Sequence, residues 1–332
     1  MPVNTGLADA SNVLLLSTVI LYALAMLCYA CDFAFAQQRV LADVPAERVA
    51  VGAGGPPVSL PASAPPGPAP VGQPAGRWPQ GLWLGTAFGL TCLGLVLQVF
   101  AILTRGLAEH RVPWGNMYEF LAAVTCMAVL VLVAASIKYR AYYMGLFVLL
   151  PVVLTLGIDL TLIYTPAGSL VPALQSYWIA IHVTAMIVAC GLFIFGAVVT
   201  TLYLLSDRSE RRLAAGRPSW SAGIFQHLPR PAILDRLSYR SILFGFPVWT
   251  FGVIAGAIWA DHAWGRYWGW DPKETWSFIT WVVYAMFLHA RATAGWRGRR
   301  AAWIHLAAFG CLMFNLIGVN LFITGLHSYA GM

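Results

Sequence analysis

The sequence predicts an all-α fold: a polytopic membrane helix bundle of about eight transmembrane helices, N-out and C-out, with an external tryptophan-rich loop. Three observations predict it. Only 10% of the 332 residues are charged, where a soluble globular chain carries about a quarter. Hydrophobic residues make up 59% and the mean hydropathy is +0.72. Uncharged stretches of about 20 residues recur along the chain, the length a helix needs to cross a hydrocarbon core of about 30 Å.

Apolar runs bounded by charge or turn residues place the spans at 11–36, 80–104, 116–137, 142–164, 176–205, 243–260, 272–291 and 302–324. The first ends in Ala34-Phe35-Ala36, which mimics a signal cleavage site. However, Asp9 and no Lys or Arg precede the run, and it is longer than a signal core, so residues 1–36 are read as a retained first helix. Residues 37–79 hold half of the 20 prolines, as in Pro65-Pro66-Gly67-Pro68, and are expected to be a disordered cytoplasmic linker. The remaining membrane domain is 80–332. No internal repeat is visible, which weighs against an inverted-repeat transporter.

Charge sets the orientation. Placing the loops after spans one, three, five and seven inside collects 16 of the 20 basic residues there, leaving Arg105, Arg111, Arg266 and Lys273 outside. Both termini and the loop 261–271 are then external. The net charge of +7 is therefore read as the basic leaflet of a membrane protein, not as nucleic-acid binding. The basic stretch 206–242 reads as a solvated loop beside anionic lipid, with a partner's docking site as the alternative. All six cysteines lie in apolar runs and form no disulfide framework. Cys28-Tyr29-Ala30-Cys31 reads as two small helix residues, since no further ligand accompanies it to make a metal or redox clip.

Seven of the 14 tryptophans fall between Trp249 and Trp281, most densely in Trp264-Gly265-Arg266-Tyr267-Trp268-Gly269-Trp270-Asp271-Pro272-Lys273-Glu274-Thr275-Trp276. An interfacial aromatic belt explains a few indoles but not closely spaced ones with glycines between them. A platform for a flat, conjugated, mostly apolar ligand explains the run, with Gly265 and Gly269 letting the backbone approach the ligand plane. Haem fits that description. Arg266 and Lys273 then pair with carboxylates at the ligand's edge, or are ordinary juxtamembrane cations. Asp271, Pro272 and Glu274 spell a helix start, with Asp271 as N-cap and Glu274 closing a capping box; capping is the simplest role for both acids.

The histidines divide between the two sides of the membrane. His182, at the outer start of span five, and His327, after span eight, both reach the level of the tryptophan loop, as two axial ligands of a haem iron would. His289 lies 18 residues after Asp271 on one helix, about 27 Å farther along, and so belongs to the inner leaflet. It is either a second ligand site or a histidine snorkelling to the nearby interface. His110, His227, His262 and His305 are expected to be structural, with His262 beside the platform and His305 near enough to the inner end to pair with His289. Glu119 and Asp159 are expected to cap helices or to bond between them.

These residues resemble the CcsA (ResC-like) cytochrome c biogenesis proteins, haem-handling membrane proteins with a tryptophan-rich WWD motif. The resemblance rests on Trp264 to Trp276, Leu288-His289-Ala290-Arg291, Gly318-Val319-Asn320, Gly325-Leu326-His327-Ser328-Tyr329 and Trp178 to Val183, with Asn116-Met117-Tyr118-Glu119 also family-like. It implies that 80–332 is the haem-handling domain, that haem b is carried and presented as substrate, and that His182 and His327 are the external axial ligands. It further implies an external haem platform made by Trp264, Trp268, Trp270, Asp271 and Trp276. His289 becomes one membrane haem ligand, the other coming from a CcsB (ResB-like) partner. The implied assembly is a cytochrome c synthetase, or haem lyase, that attaches haem to the C-x-x-C-H cysteines of apocytochromes c. The implied location is the bacterial cytoplasmic membrane, with the thylakoid membrane as the alternative. Alternative functions are a CcmC- or CcmF-like haem delivery protein, or a non-haem transporter or scaffold anchored by its tryptophans.

Overall fold

The computed structural model describes residues 3–42, 81–168, 174–217, 228–293 and 295–327. The helices are α1 (Thr5–Ala42), α2 (Leu82–Glu109), α3 (Met117–Tyr139), α4 (Gly145–Thr161), α5 (Tyr177–Ala214), α6 (Pro231–Trp264), α7 (Pro272–Thr293) and α8 (Arg299–Met313). The last runs on through a π-turn, Phe314–Gly318, into a short α9 (Val319–Phe322). Seven of the described helices are long and apolar enough to cross a membrane. The 22-residue α7 is outside that set, its hydropathy diluted by Trp, Tyr, Thr and Ser. It occupies the predicted span 272–291 and packs against α6 and α8. This is an integral membrane protein built as a helical bundle.

Each helix meets within itself the demand that a backbone in lipid satisfy its own polar groups. What joins them is close packing and a few polar ties. In α1 and α2 the Tyr22 hydroxyl donates to Gln98 Oε1 at 2.8 Å, and Gln98 Nε2 donates at 3.0 Å to Ala122 O and Thr125 Oγ1 of α3. At the turn between α2 and α3, Asn116 caps α3 by accepting from the Glu119 N–H at 2.9 Å. Glu119 in turn accepts from Gly115 N–H and Arg111, and Arg105 and Glu109 complete a buried four-residue ion cluster. Glu119 thus both caps and bridges, as expected. Asp159 does neither: it is fully buried on α4, and neither oxygen has a hydrogen-bond partner among the described residues.

The stretch 206–242, expected to be a loop, is helical over most of its described part. Helix α5 continues to Ala214 and α6 begins at Pro231. Bundle-facing positions stay apolar there, with Leu234 and Leu237 buried. Ion pairs such as Arg211 with Asp207 at 2.9 Å, and Arg291 across both oxygens of Asp235 at 2.7 and 2.9 Å, carry the helices beyond the apolar spans. Likewise α1 extends to Ala42, past the predicted end at 36. The rest of the predicted linker, 43–79, lies outside the described residues, as does His227.

Candidate functional site

Helices α5 and α6 form the most extensive helix pair among the described residues, ahead of α1 and α2. Their approach is set by small residues on α6. A Cβ at Gly252 would stand 3.1 Å from the Met186 side chain, and one at Gly256 would stand 2.7 Å from the His182 ring. The four-residue spacing puts both glycines on one face, so the backbone of α6 closes directly onto the imidazole. His182 Nδ1 lies 2.8 Å from the Gly252 carbonyl, which therefore accepts its N–H. Its ring lies parallel to Trp259, centroids 6.0 Å apart and planes 8° apart.

His327 meets the same indole. Its ring centroid is 5.7 Å from Trp259 and 5.0 Å from Trp264, edge-on to both. Trp259 and Trp264 touch each other at 4.9 Å. The imidazole is held by Asp271, whose Oδ2 is 2.7 Å from His327 Nδ1 and whose Oδ1 accepts the Leu326 N–H at 2.8 Å. Gly325 permits that approach, since a Cβ there would fall 2.7 Å from Asp271 Oδ1. Burial pushes the Asp271 carboxyl up. Hydrogen bonds from His327 and the Leu326 N–H, the nearby imidazole and the Lys273 N–H outweigh it and hold the group below its ordinary range.

Asp271 also starts α7. It accepts from the Lys273 N–H at 3.4 Å, while Glu274 Oε2 accepts from the Asp271 N–H at 3.1 Å and the Gly269 N–H at 2.8 Å. The predicted capping box is present, but capping is only part of what Asp271 does. Gly265 ends α6 in the left-handed region at φ 69°, and a Cβ on Gly269 would collide with the Arg266 guanidinium. Arg266 pairs internally with Glu274 at 3.3 Å and lies over the Trp264 ring.

His182 and His327 line one cavity of about 190 Å³ at the loop end of the bundle, together with Trp259, Trp268, Lys273 and Asn315. Trp264 backs His327, whereas Trp270 is 65% exposed with its ring against Phe278, and Trp276 packs on Phe314. His289 is exposed on α7, on the outward stripe of Val282 and Met286. His305 does not pair with it. It is fully buried, its Nδ1 2.7 Å from Thr200 Oγ1. His262 is exposed, and His110 ends α2 in the left-handed conformation at φ 54°. All six cysteines are free thiols, and no group of three or more potential metal-binding side chains occurs among the described residues.

Trp259, Gly252 and Gly256 are the site residues the sequence reading did not nominate. The signal was there: Gly252-Val253-Ile254-Ala255-Gly256 is a G-x-x-x-G within an apolar helix, the pattern of close helix approach. Trp259 follows three residues later, on the same face.

The fold and site define a polytopic integral membrane protein whose aromatic cavity is flanked by two histidines, each oriented through Nδ1. Comparison with known proteins gives the family: residues 114–327 match the cytochrome c assembly proteins, and the chain belongs to that family. It is 35% identical over 258 residues to the cytochrome c biogenesis protein CcsA of Guillardia theta, covering 73% of this chain and 84% of that one. With CcsA of Gloeobacter violaceus it shares 35% identity over 294 residues, 74% and 86% of the two chains, and with that of a Synechococcus strain 35% over 288 residues, 71% and 83%. This chain is accordingly a cytochrome c biogenesis protein of the membrane.

Proposed function

We propose that this protein carries haem b outward through the membrane and presents it for covalent attachment to C-x-x-C-H apocytochromes c, as part of a synthetase with a CcsB (ResB-like) partner. The observation that supports it most is the matched pair of imidazoles. His182 and His327 meet one buried indole, and each is held at Nδ1 by a protein acceptor, the arrangement that orients a histidine to coordinate through Nε2. The tryptophan loop then faces outside and the basic end faces the cytoplasm. His289 projects away from its own bundle, which suits a ligand completed by a second chain.

In this reading His182 and His327 hold the iron while Trp259, Trp264 and Trp268 shape an apolar seat around it. Attachment adds each apocytochrome S–H across a vinyl group: a C–S bond forms, the hydrogen goes to the neighbouring vinyl carbon, and no net oxidation occurs. The chain contributes positioning, not acid–base chemistry. The test is a reduced-minus-oxidised spectrum of the full chain co-purified with its partner. His289→Ala is expected to lower haem at both sites, while His327→Ala spares inner haem and stops cytochrome maturation. Unchanged haem and normal cytochrome yield in both variants overturn the ligand roles.

A further inference from the structure

The two cations of the tryptophan loop keep different company. Arg266 has its charge matched by Glu274 and its face covered by Trp264. Lys273 reaches into the cavity, where its Nζ meets a neutral acceptor, the Asn315 carbonyl, at 3.1 Å, and it makes no ion pair among the described residues. An ammonium has three donors, so one carbonyl between apolar helices satisfies it only in part. Asn315 also lines the cavity. It is 7% exposed, and its Oδ1 has no hydrogen-bond partner among the described residues. Neither nearby carboxylate pairs with it: Glu274 is occupied by Arg266 and the N–H groups of Gly269 and Asp271, and Asp271, whose charge acts on Lys273 from a distance, is taken by His327 and the N–H groups of Leu326 and Lys273.

Position adds a direction. Asn315 lies in the π-turn, seven residues before the helical run ends at Phe322, about 10 Å inward of that end. His327 follows the same end. The ammonium therefore stands toward the floor of the cavity, below the level of the His327 imidazole.

We infer that Lys273, with the Asn315 amide beside it, binds a carboxylate of the cavity's ligand and fixes which edge of that ligand points inward. The inference rests on the haem reading and deepens it. Protoporphyrin carries its two propionates on one edge and its vinyl groups on the other half of the ring. A propionate anchored at the floor turns the vinyl-bearing half to the mouth, where apocytochrome thiols arrive. Rotation of the Asn315 amide presents its Nδ2–H to the same carboxylate, completing the charge-assisted set.

The test compares iron protoporphyrin IX with its dimethyl ester, titrated into the detergent-solubilised full chain and followed by the Soret and visible bands of bis-imidazole haem. The wild-type chain is expected to bind the free acid at least about tenfold more tightly than the ester, the scale of a desolvated charge pair. Lys273→Met is expected to bind both at the ester's affinity, and Lys273→Arg to keep part of the preference. Equal binding of acid and ester by the wild-type chain overturns the inference with no variant needed, as does a full preference in Lys273→Met. Bis-imidazole binding without that preference leaves the haem reading standing, whereas no porphyrin binding at all removes both.

Discussion

Replacing Asp271 with asparagine separates its two jobs. As an N-cap, asparagine serves about as well as aspartate, so the start of α7 loses less than about 1 kcal/mol, chiefly from the helix dipole. Toward His327 the change is severe. The carboxylate now accepts the Nδ1 proton at 2.7 Å, fixing Nε2 as the lone-pair nitrogen. An amide that keeps its oxygen on the Leu326 N–H turns its NH2 to Nδ1, a donor facing a donor. The ring then favours the tautomer with its proton on Nε2, the wrong nitrogen for a ligand held this way. Loss of such an orienting partner costs about 10–100-fold in metal affinity, or about 1.4–2.8 kcal/mol. The assay is a haem titration of the full chain read at the Soret band, with thermal unfolding followed in parallel. Asp271→Asn should weaken haem binding by that factor while barely shifting the unfolding midpoint, and Asp271→Ala should lose about 1 kcal/mol more through the missing cap. Haem affinity within twofold of wild type in Asp271→Asn would refute the orienting role.

The closeness of Gly256 to His182 means that Gly256→Val overpacks the helix pair by about 1–3 kcal/mol and displaces the imidazole, seen as a high-spin Soret shift with α5 and α6 still helical by circular dichroism. His305→Leu removes the bond to Thr200 but leaves Thr200 and Ser238 bonded to each other. It should cost about 1–3 kcal/mol of stability with haem content unchanged; lost haem would reassign His305 to the site. Glu274→Ala unties Arg266 and two loop N–H groups, so limited proteolysis should cut within 265–270, where the wild-type loop resists. The carboxyl of Asp271 has a folded pKa below its unfolded value of about 3.9. Its anchoring is therefore fully present above pH about 4 and is lost as pH falls through the folded value. Tryptophan fluorescence of the ligand-free chain should show the Asp271 step only in strongly acidic solution, and in Asp271→Asn that acid step should be absent.

The sequence disclosed the spans more reliably than their ends. A segment crossing lipid must be apolar over about 20 residues, and that signal survives any arrangement of neighbours. Helix ends depend on what lies beyond the lipid. Charge in the stretch 206–242 suggests a solvated loop, yet Leu234 and Leu237 bury one face and Asp235 holds Arg291. A glycine marks an approach without naming what approaches, and at Gly269 the group in contact is the guanidinium of Arg266.

Composition and one dense tryptophan run were enough to establish a membrane bundle, the end of it that carries the site, and His182 and His327 as the pair to examine, because hydropathy and residue chemistry are properties of the chain itself. Only packing decided that Trp259 touches both of those imidazoles, that Gly252 and Asp271 orient them, and that Arg266 is spent within the loop while Lys273 faces the cavity. Those outcomes turn on distances of about 3 Å between residues up to 70 positions apart. No local pattern encodes such a distance, since it exists only once the helices have settled against one another.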